Sequence, residues 1–242
     1  MDDDAFDALF PEPLRAGSEH FYTRVATARR AAELFAGRDA VRVLDVGSGA
    51  GKLCLVAACA RPELELTGIE HRPHLVEAAI RAAGLLGVTN VRFVAGDAAA
   101  ASWSGFDGVY LFNPFAENLY NPDEQLDDTV ALSYERFRRD VRRVLRSLAA
   151  APAGTCVVTH HGYGGPIPAS YQLVHAERAD SDWLRLWVKG GPGADPGAFY
   201  VEERDGVSLV ASRRAREAGA PGGAEPPSHY LEFEDELGGG AT

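Results

Sequence analysis

The chain has 242 residues, 46% of them hydrophobic and 24% charged, enough apolar material for one globular domain with extensions. Its net charge of −11 sits at the ends: residues 1–20 hold six acids and one base, residues 225–242 hold five acids and no base, and residues 21–224 net only −1. That balance disfavours a polybasic nucleic-acid or membrane-binding surface, and no apolar run reaches the roughly 18–20 residues that a membrane helix needs.

Residues 1–19 contain Pro11 and Pro13, show no helical period and read as a mobile acidic arm. The start, MDDDAFDALFPEP, is acidic where a secretory signal would be basic and then apolar. From His20 to Ala36 apolar residues recur at three- and four-residue steps, predicting one helix that stops at Gly37. VRVLDV (41–46) is a mostly apolar run of the kind buried on both faces of a parallel sheet. GSGAG follows, then a helix over KLCLVAACA (52–60). The alternation repeats with a strand over 64–70, a helix over 73–87, a strand over 91–96, a short helical turn after Asp97 and a strand over 106–112.

An amphipathic helix is expected over 126–149, with Val130, Tyr134, Phe137, Val141, Leu145 and Leu148 on its apolar stripe. Arg138, Arg139, Arg142, Arg143 and Arg146 lie largely off that stripe and read as a solvated face, interrupted by Glu135 and Asp140. TCVVTH (155–160) is the fifth strand. After Gly162 the segments 171–179 and 183–190 flank the turn ADSD, and AFYVEER and VSLVASR flank Asp205-Gly206, so the chain finishes with antiparallel hairpins. The expected fold is α/β, a doubly wound and mostly parallel seven-stranded sheet with antiparallel C-terminal strands. Residues 20–212 form the domain, and residues 213–242 read as an acidic, Gly- and Pro-rich disordered tail. Cys54, Cys59 and Cys156 lack zinc-site or redox spacing and all fall in predicted core elements, so they read as buried reduced thiols of a cytoplasmic protein.

The segment VLDVGSGAGK (43–52) carries the chemistry. Three glycines after a buried strand, at the start of a helix, let the backbone turn sharply and approach a ligand closely. A phosphate-cradling G-x-x-x-x-G-K-[ST] loop is ruled out, because position 46 is Val and Leu53 cannot hold magnesium. A dinucleotide G-x-G-x-x-G fingerprint is ruled out because the third glycine, Gly51, comes one residue early. What remains is D-x-G-x-G-x-G, which resembles motif I of the class I methyltransferases that use S-adenosylmethionine. Glu70 at the next strand end, Gly96-Asp97-Ala98 at the third and Asn113-Pro114-Phe115 at the fourth complete the resemblance, all at the carboxyl edge where doubly wound sheets bind ligands.

The resemblance implies S-adenosylmethionine as cofactor. Asp45, Gly47, Ser48, Gly49 and Gly51 would hold its methionine part, Glu70 its ribose, and Asp97 with Ala98 its adenine. Phe21 and Thr23 resemble an accessory cofactor-facing F-x-T segment. Many methyltransferases acting on nitrogen carry N-P-P-[YF] at the fourth strand end, so Asn113, Pro114 and Phe115 are the candidate catalytic residues, although the second proline is missing here. In that position an amide oxygen orients the acceptor amine at the methyl group. The order DVGSGAGK, GIE, GD, Asn-x-Phe and AFYVEE is also similar to the non-SET-domain histone lysine methyltransferases. His160 and His161 sit beside the expected acceptor pocket, where a general-base role is open; no third ligand at suitable spacing accompanies them, so no metal site is expected.

The expectation is a methyltransferase with an unknown acceptor, a small molecule or a protein, and nucleic acid disfavoured. Two other readings stay open: an NAD-linked oxidoreductase on the same fold, and a non-catalytic cofactor-binding or scaffold protein. Neither the acceptor nor the oligomeric state is legible in these residues.

Overall fold

The computed structural model describes residues 2–191, 199–204 and 207–212. The alternating part of the chain runs α4 (Val25–Ala36), β1 (Arg42–Val46), α5 (Lys52–Ala60), β2 (Glu65–Glu70), α6 (Pro73–Leu86), β3 (Val91–Ala95) and β4 (Gly108–Phe112). It is preceded by three short helices, α1 (Asp3–Asp7), α2 (Glu12–Ala16) and α3 (Ser18–Phe21). Two 3-10 turns, Ala116–Leu119 and Pro122–Glu124, lead from β4 to α7 (Tyr134–Ala150), β5 (Cys156–His160), β6 (Tyr171–Ala179) and β7 (Asp182–Lys189). β8 (Phe199–Arg204) and β9 (Val207–Ser212) pair antiparallel as a separate two-stranded sheet.

Seven strands make one sheet in the order β3-β2-β1-β4-β5-β7-β6. β3, β2, β1, β4 and β5 run parallel to one another, and β7 runs antiparallel to both β5 and β6. This is the expected α/β architecture. Side chains alternate across the sheet and feed two cores. Val43, Leu66, Tyr110 and Val158 pack towards α4, α5 and α6. Leu44, Val109, Leu111 and Val157 pack towards α7 and the Trp103 segment.

The structure departs from the sequence reading at four places. Residues 3–21 are not an unpacked arm: Phe6, Phe10 and Leu14 are buried in the first core, and the Lys52 ammonium, 3% exposed, pairs with Asp3 at 2.7 Å and Asp7 at 2.8 Å. The helix expected over 20–36 is broken, because Tyr22 and Arg24 are extended and separate α3 from α4. The helix expected from 126 starts at Tyr134, where the Ser133 hydroxyl caps it by accepting from the Arg136 N–H; Tyr134 itself is 47% exposed. Residues 126–129 are taken by competing bonds, with the Leu126 N–H donating to Glu117 and the Asp127 carboxylate accepting from the Thr129 N–H and from Arg72. Finally, Cys59 is exposed at the end of α5, while Cys54 and Cys156 are buried. The expected tail over 213–242 lies outside the described residues. No helix among the described residues is long and apolar enough to cross a membrane.

Candidate active site at the switch point of the sheet

β1 and β4 lie side by side, but β1 is followed by a crossover towards β2 and β4 by one towards β5. The loops therefore diverge and leave a crevice at the carboxyl ends, the place where doubly wound sheets take ligands. A cavity of about 330 Å3 opens there. Its floor is the glycine turn after β1. A Cβ placed on Gly47, which has φ +73°, would lie 3.1 Å from the Pro114 Cβ, so the β1 and β4 loops touch with no room for a side chain.

Glu70 organises this floor. One carboxylate oxygen accepts from the Gly49 N–H at 3.0 Å, and the other accepts from the Arg72 N–H at 3.0 Å. The side chain is buried yet lines the cavity. Tyr22 leans on the same turn, its ring about 3.1 Å from where a Gly49 Cβ would be. Its hydroxyl is buried without a hydrogen-bond partner among the described residues, and burial holds that phenol well above its ordinary pKa, with the nearby Glu70 charge adding to the shift.

Asp45, Ser48, Gly51 and Thr23 do not line the cavity. The Asp45 carboxyl is turned into the core, where the Cys54 thiol donates to it at 3.5 Å; burial raises its pKa to about 7. Gly51 serves packing: a Cβ there would meet the Phe93 ring at 2.5 Å and the Ala79 Cβ at 2.9 Å. The buried Ser48 side chain fits against Gly68, where an added Cβ would lie 2.6 Å from its oxygen. Thr23 exchanges a hydrogen bond with the Tyr110 hydroxyl at 3.1 Å in the core.

Asp97 and Ala98 line the cavity beside β3. One Asp97 oxygen accepts from the Ala99 and Ala100 N–H groups, and the other accepts from Arg143 at 3.1 Å. Asp97 thus caps a turn as well as facing the cavity. The neighbouring wall is a charge network. The Arg72 guanidinium, 4% exposed, grips Glu117 at 2.8 Å and Asp127 at 2.9 Å. Arg136 reaches the His71 Nδ1 at 2.8 Å, and Asp140, 2% exposed, gathers Arg136, Arg139 and Arg143.

At the other end stand Phe112, Asn113, Pro114, Phe115, His160, His161, Asp180 and Ser181. Asn113 has φ +42°, and its N–H donates to the Gly162 carbonyl at 2.8 Å, which locks the β4 loop to the β5 loop. Phe115 is buried in the second core and also lines the cavity. Phe112 is the better aromatic wall, since it stacks on His160 with centroids 5.2 Å apart.

The structure therefore gathers Phe21, Gly47, Gly49, Glu70, Asp97, Ala98, Asn113, Pro114 and Phe115 around one cavity and leaves the other four expected residues beneath it. Sequence reasoning missed Tyr22, because treating 20–36 as one helix hid the extended residue that turns this ring towards the glycine turn. It also missed Arg72, Glu117 and Arg136, whose spacing shows no motif.

A family profile described as a methyltransferase domain matches residues 38–182. The release factor glutamine methyltransferase of Salmonella typhimurium is 43% identical over 53 residues, which is 22% of this chain and 19% of that protein, so the match spans about a fifth of the relative. Among solved structures, an RNA methyltransferase from Salinibacter ruber in complex with S-adenosyl-L-homocysteine superposes with a TM-score of 0.47 at 21% identity, over 67% of this chain and 92% of that one. TrmN from Thermus thermophilus gives 0.46 at 21% identity, over 69% and 52%. The residues present suit S-adenosylmethionine: a side-chain-free glycine floor, a buried carboxylate at the β2 end and an unpartnered phenol converge on a cavity within the usual size range of ligand sites. With the profile covering more than half of its length, the chain belongs to the methyltransferase-domain family.

Proposed function

We propose that this enzyme methylates a nitrogen nucleophile, on a protein or on a small molecule. The observation that carries the reading is Asn113. It stands at the end of β4, its backbone is locked to Gly162, and the adjoining Pro114 touches the Gly47 turn. A residue so placed lies between the cofactor floor and the far end of the cavity, where an amide oxygen can accept from an amine N–H and aim the nitrogen lone pair at the methyl carbon. Glu70 would accept the two ribose hydroxyls, the Gly47–Gly51 turn would hold the methionine part, and Asp97 with Ala98 would face the adenine. The cofactor supplies a methyl group on a positively charged sulfur, so the protein's task is alignment. Of the six α7 arginines, Arg136, Arg139 and Arg143 are engaged with Asp140 and Asp97, which reduces the positive charge this helix can offer an RNA backbone.

Asn113→Ala should lower single-turnover methyl transfer by roughly a hundredfold while leaving S-adenosylmethionine affinity nearly unchanged. Asn113→Asp should keep more activity, since a carboxylate also accepts. Screening protein extracts, free amines and RNA with methyl-labelled cofactor identifies the acceptor class. A folded, cofactor-binding Asn113→Ala enzyme with parental turnover would falsify the assignment, and label transferred to RNA alone would overturn the choice of acceptor.

A further inference from the structure

The β6–β7 turn brings three side chains together at the acceptor end of the cavity. Ser181, which is exposed and lines the cavity, has its hydroxyl 2.9 Å from the His161 Nε2. On the other side of the same ring, Nδ1 lies 3.5 Å from an Asp182 carboxylate oxygen. The neutral ring carries one proton. Placed on Nδ1, that proton faces a carboxylate, and Nε2 then accepts from the Ser181 O–H. The serine oxygen keeps its lone pairs for a ligand.

The backbone is unusual at the same place. Four described non-glycine residues have positive φ, and three of them, Asn113 (+42°), His161 (+58°) and Asp180 (+53°), line this end of the cavity. Asn, Asp and His tolerate the left-handed region better than most residues, yet such conformations gather at functional sites because the surroundings hold them there. His160 completes the wall. Its Nε2 donates to the Ala179 carbonyl at 2.9 Å, which leaves Nδ1 as a buried acceptor with no partner among the described residues.

We propose that Ser181, His161 and Asp182 form a proton relay that readies a primary-amine acceptor. The proposal rests on the nitrogen reading above, because a primary amine is an ammonium at neutral pH and has no lone pair to offer. The ammonium gives one proton to the Ser181 oxygen as the serine's own proton passes to the His161 Nε2, and Asp182 balances the imidazolium. The freed lone pair then forms the nitrogen–carbon bond to the methyl group as the sulfur–carbon bond breaks, with the electron pair staying on sulfur. The products are a methylated ammonium and a neutral thioether.

Charges around the ring suit the role. Burial is the main influence and lowers the His161 pKa, Asp182 and Asp180 oppose that, and Arg185 adds to it. His160, at 4.5 Å between centroids, is lowered too, again chiefly by burial. Asp180 is itself paired with Arg24 at 3.1 Å. His161 is therefore in its base form at pH 7. The relay is lost as pH falls through its pKa, below about 6.5.

Two measurements on the full chain test this. The first, nitrogen-15 NMR of the imidazoles, needs no acceptor. It should show His161 with its proton on Nδ1 at neutral pH, and Asp182→Asn should lower the His161 pKa further. A proton found on Nε2 overturns the relay, because Ser181 could then only accept. The second is the pH profile of methyl transfer to propylamine and to lysine-containing peptides. His161→Gln and Ser181→Ala should reduce turnover at least tenfold and flatten the acid limb, with thermal midpoint and cofactor affinity unchanged. Amine methylation with a parental acid limb in His161→Gln overturns the relay and spares the nitrogen reading. Methylation of oxygen or carbon acceptors alone, with the NMR result as expected, overturns both the nitrogen reading and the relay's assigned use.

Discussion

Both carboxylate oxygens of Glu70 are engaged by backbone N–H groups, of Gly49 on one side and Arg72 on the other. On the proposed reading the same oxygens also face the ribose, so Glu70 fixes the floor and contacts the ligand. Glu70→Ala should weaken S-adenosylmethionine binding by roughly tenfold or more, from charge-assisted bonds of about 1.5–3 kcal/mol each, partly replaced by water. Glu70→Gln should be milder, because its single oxygen keeps one N–H bond and its amide faces the other donor. Titration calorimetry on both variants checks this; parental affinity in Glu70→Ala would place the ribose elsewhere. At this scale position was legible where a residue's type is tied to its strand end: Glu70, Asp97 and Asn113 all line the cavity. The sequence was a poor guide to direction. Asp45 is part of the glycine-loop pattern, yet its carboxyl points at Cys54 in the core, because alternation along β1 decides which face a side chain takes. Tyr22, Ser181 and Asp182 belong to no pattern and meet their partners only through the fold.

Elements were legible in proportion to their length and periodicity. The buried parallel strands and the helices over 52–60 and 73–87 read directly from apolar runs and glycine stops. The start of α7 did not, since local side-chain bonds at Asp127 and Thr129 compete with helix formation. The joint between β1 and α5 shows how one residue sets the packing of two elements. Gly51 begins α5 at φ +83°, and an added Cβ would strike Phe93 on β3 and Ala79 on α6. Gly51→Ala should therefore combine about 1–2 kcal/mol for the left-handed backbone with about 1–3 kcal/mol for overpacking. Gly87, at φ +67° with open space where its Cβ would be, is the matched control. Gly87→Ala should show only the backbone part. Thermal melts of the two variants separate the contributions; equal losses would show that Phe93 moves aside without cost.

On the scale of the whole molecule, the first twenty residues join the two halves of the site. Lys52 follows the glycine turn directly, and its ammonium is held by Asp3, Asp7 and the Ser18 hydroxyl at 3.0 Å. Phe21 meets Tyr120 with centroids 6.5 Å apart, so α3 touches the loop that follows β4 across the cavity. The signal for this packing was in the sequence: Phe6, Phe10 and Leu14 recur at four-residue steps, but Pro11 and Pro13 split the run into helices too short to show a period. Deleting residues 2–18 removes three apolar side chains that are 0–9% exposed. Each contributes about 1.5–3 kcal/mol on burial, an upper bound because unfolded chains already bury some surface. The deletion also removes Asp3, Asp7 and Ser18, which hold the Lys52 ammonium, a cation that is 3% exposed. The combined loss is comparable to the roughly 5–15 kcal/mol that holds a typical domain folded, so the shortened chain should melt far below the parent or fail to fold. Phe6→Ala is the gentler variant, with an expected loss of about 3–5 kcal/mol. It should also weaken cofactor binding if α1 to α3 support Tyr22 against the glycine turn. Melting curves and cofactor titrations on Phe6→Ala and on the deletion decide the matter. An unchanged thermal midpoint in both would mean that the segment is the loose acidic arm its composition suggests.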